Sequence, residues 1–365
     1  MPNEPEAVDS SVGSPAPSPV LPPAISPVLP SAISPAISPV ISPGPLLAIG
    51  GAEDKLGRRT VLSEFVALAG GPQAKIAVVP TASSLGPEII DVYDALFRRL
   101  GAREVVSARP ESREEAEDPD LVARLDDVTG IFITGGNQLK LSAIVNATAF
   151  GEAIKAAHRR GVVVAGTSAG ASIQSSHMVA FGTGGSTPRQ RMTQLAAGLG
   201  LIHDVVIDQH FGQRNRYGRL LMLVAQSPGL LGIGVDEDTA AVVTERDSHT
   251  MLRVVGRGVV TIFDGRGVVS NAHEARRTAP LLASGVVLHV LPDGAVFDLT
   301  DKVLVREAPV VDPAEAEELA VAGRDLRRLA HDITAGDASP GVLRRRRARR
   351  PGRRDERLPR ETGTA

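Results

Sequence analysis

At 365 residues the chain is long enough to bury a sizeable core, and with no cysteine it holds no disulfide, no thiol nucleophile and no cysteine-ligated metal. Its 40 basic and 42 acidic residues leave a formal charge of −2, a balance that predicts no polyanionic partner. No stretch is apolar for long enough to span a membrane, and the N-terminal MPNEPEAVDSS lacks the basic-then-apolar pattern of a secretory signal, so a reducing, cytoplasmic setting and no membrane partner are expected.

The first segment, residues 1–45, repeats proline every few positions in AISP and VLP units. Proline denies both helix and ladder hydrogen bonds, so the segment reads as a disordered, partly polyproline-like spacer ahead of the fold. From LLAIGG (46–51) the pattern changes to short apolar runs alternating with amphipathic stretches. KIAVVP (75–80), REVVSA (103–108), GIFITG (130–135), GVVVAG (161–166) and DVVIDQ (204–209) predict strands, while PEIIDVYDALFRRL (87–100) and AFGEAIKAAHRR (149–160) predict helices. The alternation implies an α/β domain over 46–310, with a mostly parallel sheet, helices on both faces and its site at the carboxyl ends of the strands. From residue 231 strands follow in quick succession with little helix between them, which predicts an antiparallel C-terminal extension of the same sheet.

A helix within 311–335 is expected to close the domain, and 336–365 reads as a disordered Arg-rich tail. After residue 340 ten arginines stand against three acids, a surplus of seven that leaves −9 on the rest. Such a tail can meet an acidic surface, but the domain carries no nucleic-acid motif, so nucleic acid is not an expected partner.

The chemistry centres on GTSAGAS (166–172), where an apolar strand runs into a cramped Gly/Ser/Ala turn and then a helix. Such a turn pushes the Ser168 hydroxyl outward as a nucleophile elbow, with helix N–H groups beside it for an oxyanion. A base is needed. Of the eight histidines, His210 alone stands at the carboxyl end of a predicted strand, on the rim expected for Ser168, followed by Arg214, Arg216 and Arg219. Arg216 and Arg219 are spaced to share a helix face, and three guanidiniums near a nucleophile suit an anionic substrate. In GIGVDEDTA (232–240), Glu237 or its neighbours Asp236 and Asp238 are placed to orient the histidine. The order Ser, His, acid differs from the Ser, acid, His of α/β-hydrolases and argues against an ordinary esterase or lipase. Gly135 and Gly136 in FITGGNQ offer further backbone donors after another strand, or simply a strand-to-helix turn.

Together AIGGAEDK (48–55), PTASS (80–84), FITGGNQ (132–138), GTSAGAS (166–172), DQHFGQRNRYGRL (208–220) and GIGVDEDTA (232–240) resemble the cyanophycinase family of serine peptidases, relatives of the aspartyl dipeptidases known as dipeptidase E. The resemblance spans roughly residues 46–300. It implies a fold similar to class I glutamine amidotransferases, Ser168 as nucleophile, His210 as base, Glu237 as orienting acid, and Gly136 with Ala169 as oxyanion donors. It further implies a pocket lined by Gln138, Asp208, Gln209, Arg214, Arg216 and Arg219, a homodimer, and no metal or organic cofactor. The substrate it implies is cyanophycin, a poly-aspartate carrying arginine on its β-carboxyls, cut to β-aspartyl-arginine; small aspartyl or isoaspartyl dipeptides are the alternative. Within the pocket, the arginines are expected to hold the substrate's terminal carboxylate and Asp208 its guanidinium. The Gly-rich stretch FGTGGSTPRQRMTQ (181–194) is expected to form a mobile loop over the site.

Overall fold

The computed structural model describes residues 42–86 and 88–307. The expected spacer up to residue 41, the helix expected within 311–335 and the Arg-rich tail lie outside them. Gly44 N–H donates to His158 O (2.8 Å) and Pro45 O accepts from Val164 N–H (3.0 Å), so these two residues, ahead of the expected boundary at 46, are bonded to the domain.

The first strands are β1 (Leu46–Ile49), β2 (Lys75–Val79), β3 (Glu104–Ser107), β4 (Gly130–Ile133) and β5 (Val163–Thr167). They run parallel in the order β1-β5-β4-β2-β3, forming one half of a nine-stranded sheet. Helices α1 (Thr60–Leu68) and α2 (Glu88–Arg99), short α3 (Pro119–Val122), α4 (Gln138–Val145) and α5 (Ala149–Arg159) make the crossovers. Strands β1, β2, β4 and β5 are buried on both faces, which is why these runs read as unbroken apolar stretches rather than alternating ones, while β3, at the sheet edge, is only half-buried. Leu47, Ile49, Ile76, Val78 and Phe132 meet α1 and α2 on one face; Leu46, Ala48, Ala77, Val79 and Ile131 meet α4 and α5 on the other. An aromatic knot of Phe65, Tyr93, Phe97 and Phe132 ties α1 and α2 to the sheet, each buried ring contributing about 1.5–3 kcal/mol.

After β5 come the one-turn α6 (Ala169–Ser172), the hairpin β6 (His177–Gly182) and β7 (Thr193–Ala197), then β8 (Val205–Gln209), α7 (Tyr217–Gln226) and β9 (Leu231–Val235). The chain continues through β10 (Thr239–Arg246), β11 (His249–Gly256), β12 (Val260–Asp264), the short pair β13 (Val269–Ser270) and β14 (Ala283–Ser284), β15 (Val287–Leu291), β16 (Val296–Asp298) and β17 (Val303–Arg306).

Here the expected topology needs correction. Strands β10, β11, β16 and β17 do extend the large sheet antiparallel beyond β1. However, β8, β9, β12 and β15 leave it for a separate four-stranded sheet in the order β15-β12-β9-β8, with β8 and β9 parallel. Apolar residues of that sheet, Val205, Ile207, Ile233, Val235, Val260 and Ile262, pack into the core under the large sheet, while Val206 and Phe263 face α7. Burial on both sides makes such strands indistinguishable in sequence from those of the central sheet. Ser168 and His210 therefore stand at the ends of strands in two different sheets, and the stacking of the sheets brings them together.

Candidate active site

Ser168 follows β5 directly and holds φ 53°, ψ −109°, a conformation that a non-glycine residue keeps only when its surroundings impose it. Gly166 and Gly170 impose part of it, since a Cβ on Gly166 would strike Gly170 O and one on Gly170 would strike Ile133 O. The Ser168 N–H donates to Ile49 O (3.0 Å), and its carbonyl accepts from Ala171 and Ser172 N–H (3.1 and 3.2 Å), so the turn is anchored on both sides.

His210 follows β8 directly, with φ 48°, and is 7% exposed. Its Nε2 lies 3.0 Å from Ser168 Oγ, and its Nδ1 lies 2.7 Å from Glu237 Oε1 in the turn after β9. Its N–H donates to Gly50 O (2.7 Å). Gly51, with φ 97°, lies flat against the imidazole, where any Cβ would run into ring atoms Cε1 and Nε2. Burial pulls the His210 pKa below its ordinary 6.5; the hydrogen bond that Glu237 accepts from Nδ1–H opposes this and the charge of Arg214 adds to it.

The acids flanking Glu237 do other work. Asp236 Oδ1 accepts from Gly212 N–H (2.9 Å), and Asp238 Oδ1 accepts from Asp54 N–H (2.8 Å). Burial pushes the Asp238 carboxyl up to about 6. Glu237 itself is steadied by its N–H donating to Gln213 Oε1 (3.0 Å).

The Gly135–Gly136 turn lies beside the serine: a Cβ on Gly135 would be 3.7 Å from Ser168 Oγ. The PTASS turn seats it, with Asn137 N–H donating to Ala82 O (2.8 Å). Ala169 opens α6, so its N–H has no acceptor within its own helix.

The pocket residues form a buried network rather than an open charged wall. Asp208 is 0% exposed and accepts from Arg216 Nη1 (3.0 Å) and Arg219 Nε (2.6 Å), with a further bond from Arg219 Nη2. Arg216 also donates to Gln209 Oε1 (2.8 Å), Gln209 Nε2 donates to Gln138 Oε1 (2.5 Å), and Gln138 Nε2 donates to Val179 O. Burial drags the Arg216 pKa down to about 10 even though Asp208 supports its charge. The expectation that Asp208 meets a substrate guanidinium is thus corrected: its oxygens are spent on two internal guanidiniums. Arg216 and Arg219 are likewise committed inward, and of the three arginines Arg214 is the exposed one.

The stretch 181–194 is also better anchored than expected. It forms the tip of the β6–β7 hairpin, where Gly185 N–H donates to Asn215 O (2.6 Å), Gly218 N–H donates to Gly185 O (2.8 Å) and Arg219 Nη1 donates to Gly182 O (3.1 Å). These bonds fasten it to the start of α7.

Among the described residues one set could gather a metal: His249, Asp298 and Asp301, with atoms within 4.8 Å of one another. It stands on β11 and the β16–β17 turn, where Asp298 Oδ1 already caps the N–H groups of Thr300 and Asp301, and Oδ2 meets His249 Nδ1 at 2.7 Å. None of these residues belongs to the elements that carry Ser168, His210 or Glu237. Also among the described residues, no helix is long and apolar enough to cross a membrane.

Sequence reasoning passed over Gly51, Glu53 and Gln213. The first two lie in AIGGAEDK, a motif whose glycine pair signals a close backbone approach without revealing what approaches.

A family model described as Peptidase family S51 matches residues 46–251. The chain is 40% identical over 262 residues to a protein named cyanophycinase from Nostoc sp., covering 71% of this chain and 87% of that protein. It is 40% identical over 258 residues to a cyanophycinase of Synechococcus elongatus, covering 70% and 79% respectively. Among solved structures, a peptidase from an acI-B1 Actinobacterium shares 24% identity with a TM-score of 0.49, covering 68% of this chain and 98% of that one.

Proposed function

Since the chain belongs to peptidase family S51 and is a serine-type peptidase, we propose that it hydrolyses cyanophycin to β-aspartyl-arginine dipeptides. The observation that carries the catalytic part is the continuous Ser168–His210–Glu237 chain, at 3.0 and 2.7 Å. Ser168 attacks the backbone carbonyl while His210 takes its proton and then gives it to the leaving amine; Glu237 holds the ring with Nδ1–H toward itself, leaving the Nε2 lone pair toward the serine. Gly136 and Ala169 N–H groups receive the oxyanion, and water releases the acyl group. In this reading Arg214, the exposed one of the three arginines, meets a substrate carboxylate. The same reading takes the fold to be of the class I glutamine amidotransferase type, with serine in place of cysteine, and the enzyme to be a cytoplasmic homodimer.

The test is to incubate the purified protein with cyanophycin and with aspartyl dipeptides, alongside protein inactivated by a fluorophosphonate, and to identify products by mass spectrometry. Release of β-aspartyl-arginine only by the untreated enzyme is expected. Cleavage of dipeptides with the polymer intact would move the substrate to the dipeptidase alternative.

The buried imidazole sets the pH response. A base works when neutral, and a pKa lowered below 6.5 keeps His210 neutral to lower pH. The acid limb of kcat/KM is therefore expected to have its midpoint below 6.5. Arg214→Gln removes a charge that depresses this pKa and should move the limb upward; a pH profile unmoved by that substitution would detach the limb from His210.

A further inference from the structure

Resting on that catalytic reading, we propose that Glu53 is a positioning residue which, through Thr167, holds the Ser168 elbow in register with His210.

Glu53 belongs to the AIGGAEDK loop after β1 and is 5% exposed. Its Oε2 accepts from Thr167 Oγ1 (2.6 Å), on the residue immediately before the nucleophile. Its Oε1 accepts from Tyr93 OH (2.6 Å) and from Lys55 Nζ (2.7 Å). One end of the carboxylate thus grips the strand end that carries Ser168. The other grips α2 through a tyrosine packed among Phe97 and Phe132, at ring separations of 5.7 and 4.8 Å. A buried carboxylate is costly unless its oxygens are filled, and here three donors fill them. Burial works against the charge, yet Lys55, Thr167 and Tyr93 together outweigh it and bring the carboxyl to about 2, so Glu53 stays ionised as an anchor.

The surrounding loop acts in the same sense. Ile49 O takes the Ser168 N–H, Gly50 O takes the His210 N–H and Gly51 lies against the imidazole. One five-residue stretch therefore fixes both partners of the 3.0 Å Ser168–His210 contact. Glu53 supplies its side-chain restraint on the serine side. It touches no reacting atom, so its effect passes through geometry, and misplacement of about 1 Å can cost on the order of a hundredfold in rate.

The test compares Thr167→Val, which keeps shape but loses the hydroxyl, with Thr167→Ser, which keeps the hydroxyl. The readouts are kcat and KM on cyanophycin, the thermal midpoint, and the second-order rate of fluorophosphonate labelling at Ser168, which needs the Ser–His geometry but no substrate. Thr167→Val should lose at least about tenfold in both kcat and labelling with KM within about twofold, and Thr167→Ser should stay within about threefold of wild type. Tyr93→Phe, which removes one of the two donors at the far end of Glu53 and its link to α2, should lower labelling about threefold and serves if the valine variant does not fold. Wild-type labelling rates in Thr167→Val or Tyr93→Phe, a defect confined to KM, or a serine variant as slow as the valine one would overturn the proposal. Wild-type enzyme that labels yet leaves the polymer intact would overturn the substrate assignment, while the labelling series still decides the role of Glu53.

Discussion

Ser168→Ala is expected to lower turnover by about 10⁶-fold, and Glu237→Gln by about 10⁴-fold, with both proteins folded. The two numbers differ because the groups do different things. Alanine removes the attacking oxygen of the proposed mechanism, leaving whatever rate binding and the rest of the site give a water molecule. Glutamine keeps the shape but presents an amide to Nδ1, 2.7 Å away, where the carboxylate demanded an N–H. In a ring that is 7% exposed there is little water to substitute, so the imidazole turns its proton toward Ser168 and can no longer accept one. Residues acting as one unit are not additive, so Ser168→Ala/Glu237→Gln should be no slower than Ser168→Ala alone. Steady-state rates of the purified variants, with thermal midpoints as a check on folding, decide it; a serine variant within about tenfold of wild type would remove Ser168 from the reaction.

The parts of this site legible in sequence were those whose cause is local. A β-branched run ending in GTSAGAS forces a cramped bend whatever the rest of the chain does, and a histidine or acid ending an apolar run marks a strand's carboxyl end. The parallel strands and their crossover helices were legible for the same reason, since amphipathic α2 and α5 are bounded by turn residues. What could not be read was which elements face each other. Buried on both sides, β8 and β9 carry the same apolar signature as β5, so their departure to a second sheet left no trace. Asp208, Arg216 and Arg219 have a spacing that suits either a substrate or one another, and burial alone decides for one another. Glu53 and Thr167 are 114 residues apart, and nothing near either announces the pairing.

Asp208→Ala is expected to reduce folding stability by about 3–5 kcal/mol, read as a lower urea midpoint. One carboxylate, 0% exposed, serves two guanidiniums on α7 and the turn before it. Without it, two like charges remain buried side by side, and Arg216 is already held at about 10 by its surroundings with Asp208 present. Packing does not explain the effect, and a second variant separates the two causes. Asp208→Leu combined with Arg216→Met and Arg219→Met removes all three charges while roughly filling the space, and buried ionic clusters replaced in this way are often no less stable. That triple variant should recover much of the lost stability yet remain slow, because Gln209 then loses the Arg216 donor that orients it toward Gln138 and the Gly135–Gly136 turn. Stability of Asp208→Ala within about 1 kcal/mol of wild type would mean that the guanidiniums find other partners on mutation. Recovery of both stability and turnover in the triple variant would mean that the network is a filler of space rather than the brace that ties α7 to the Gly135–Gly136 turn.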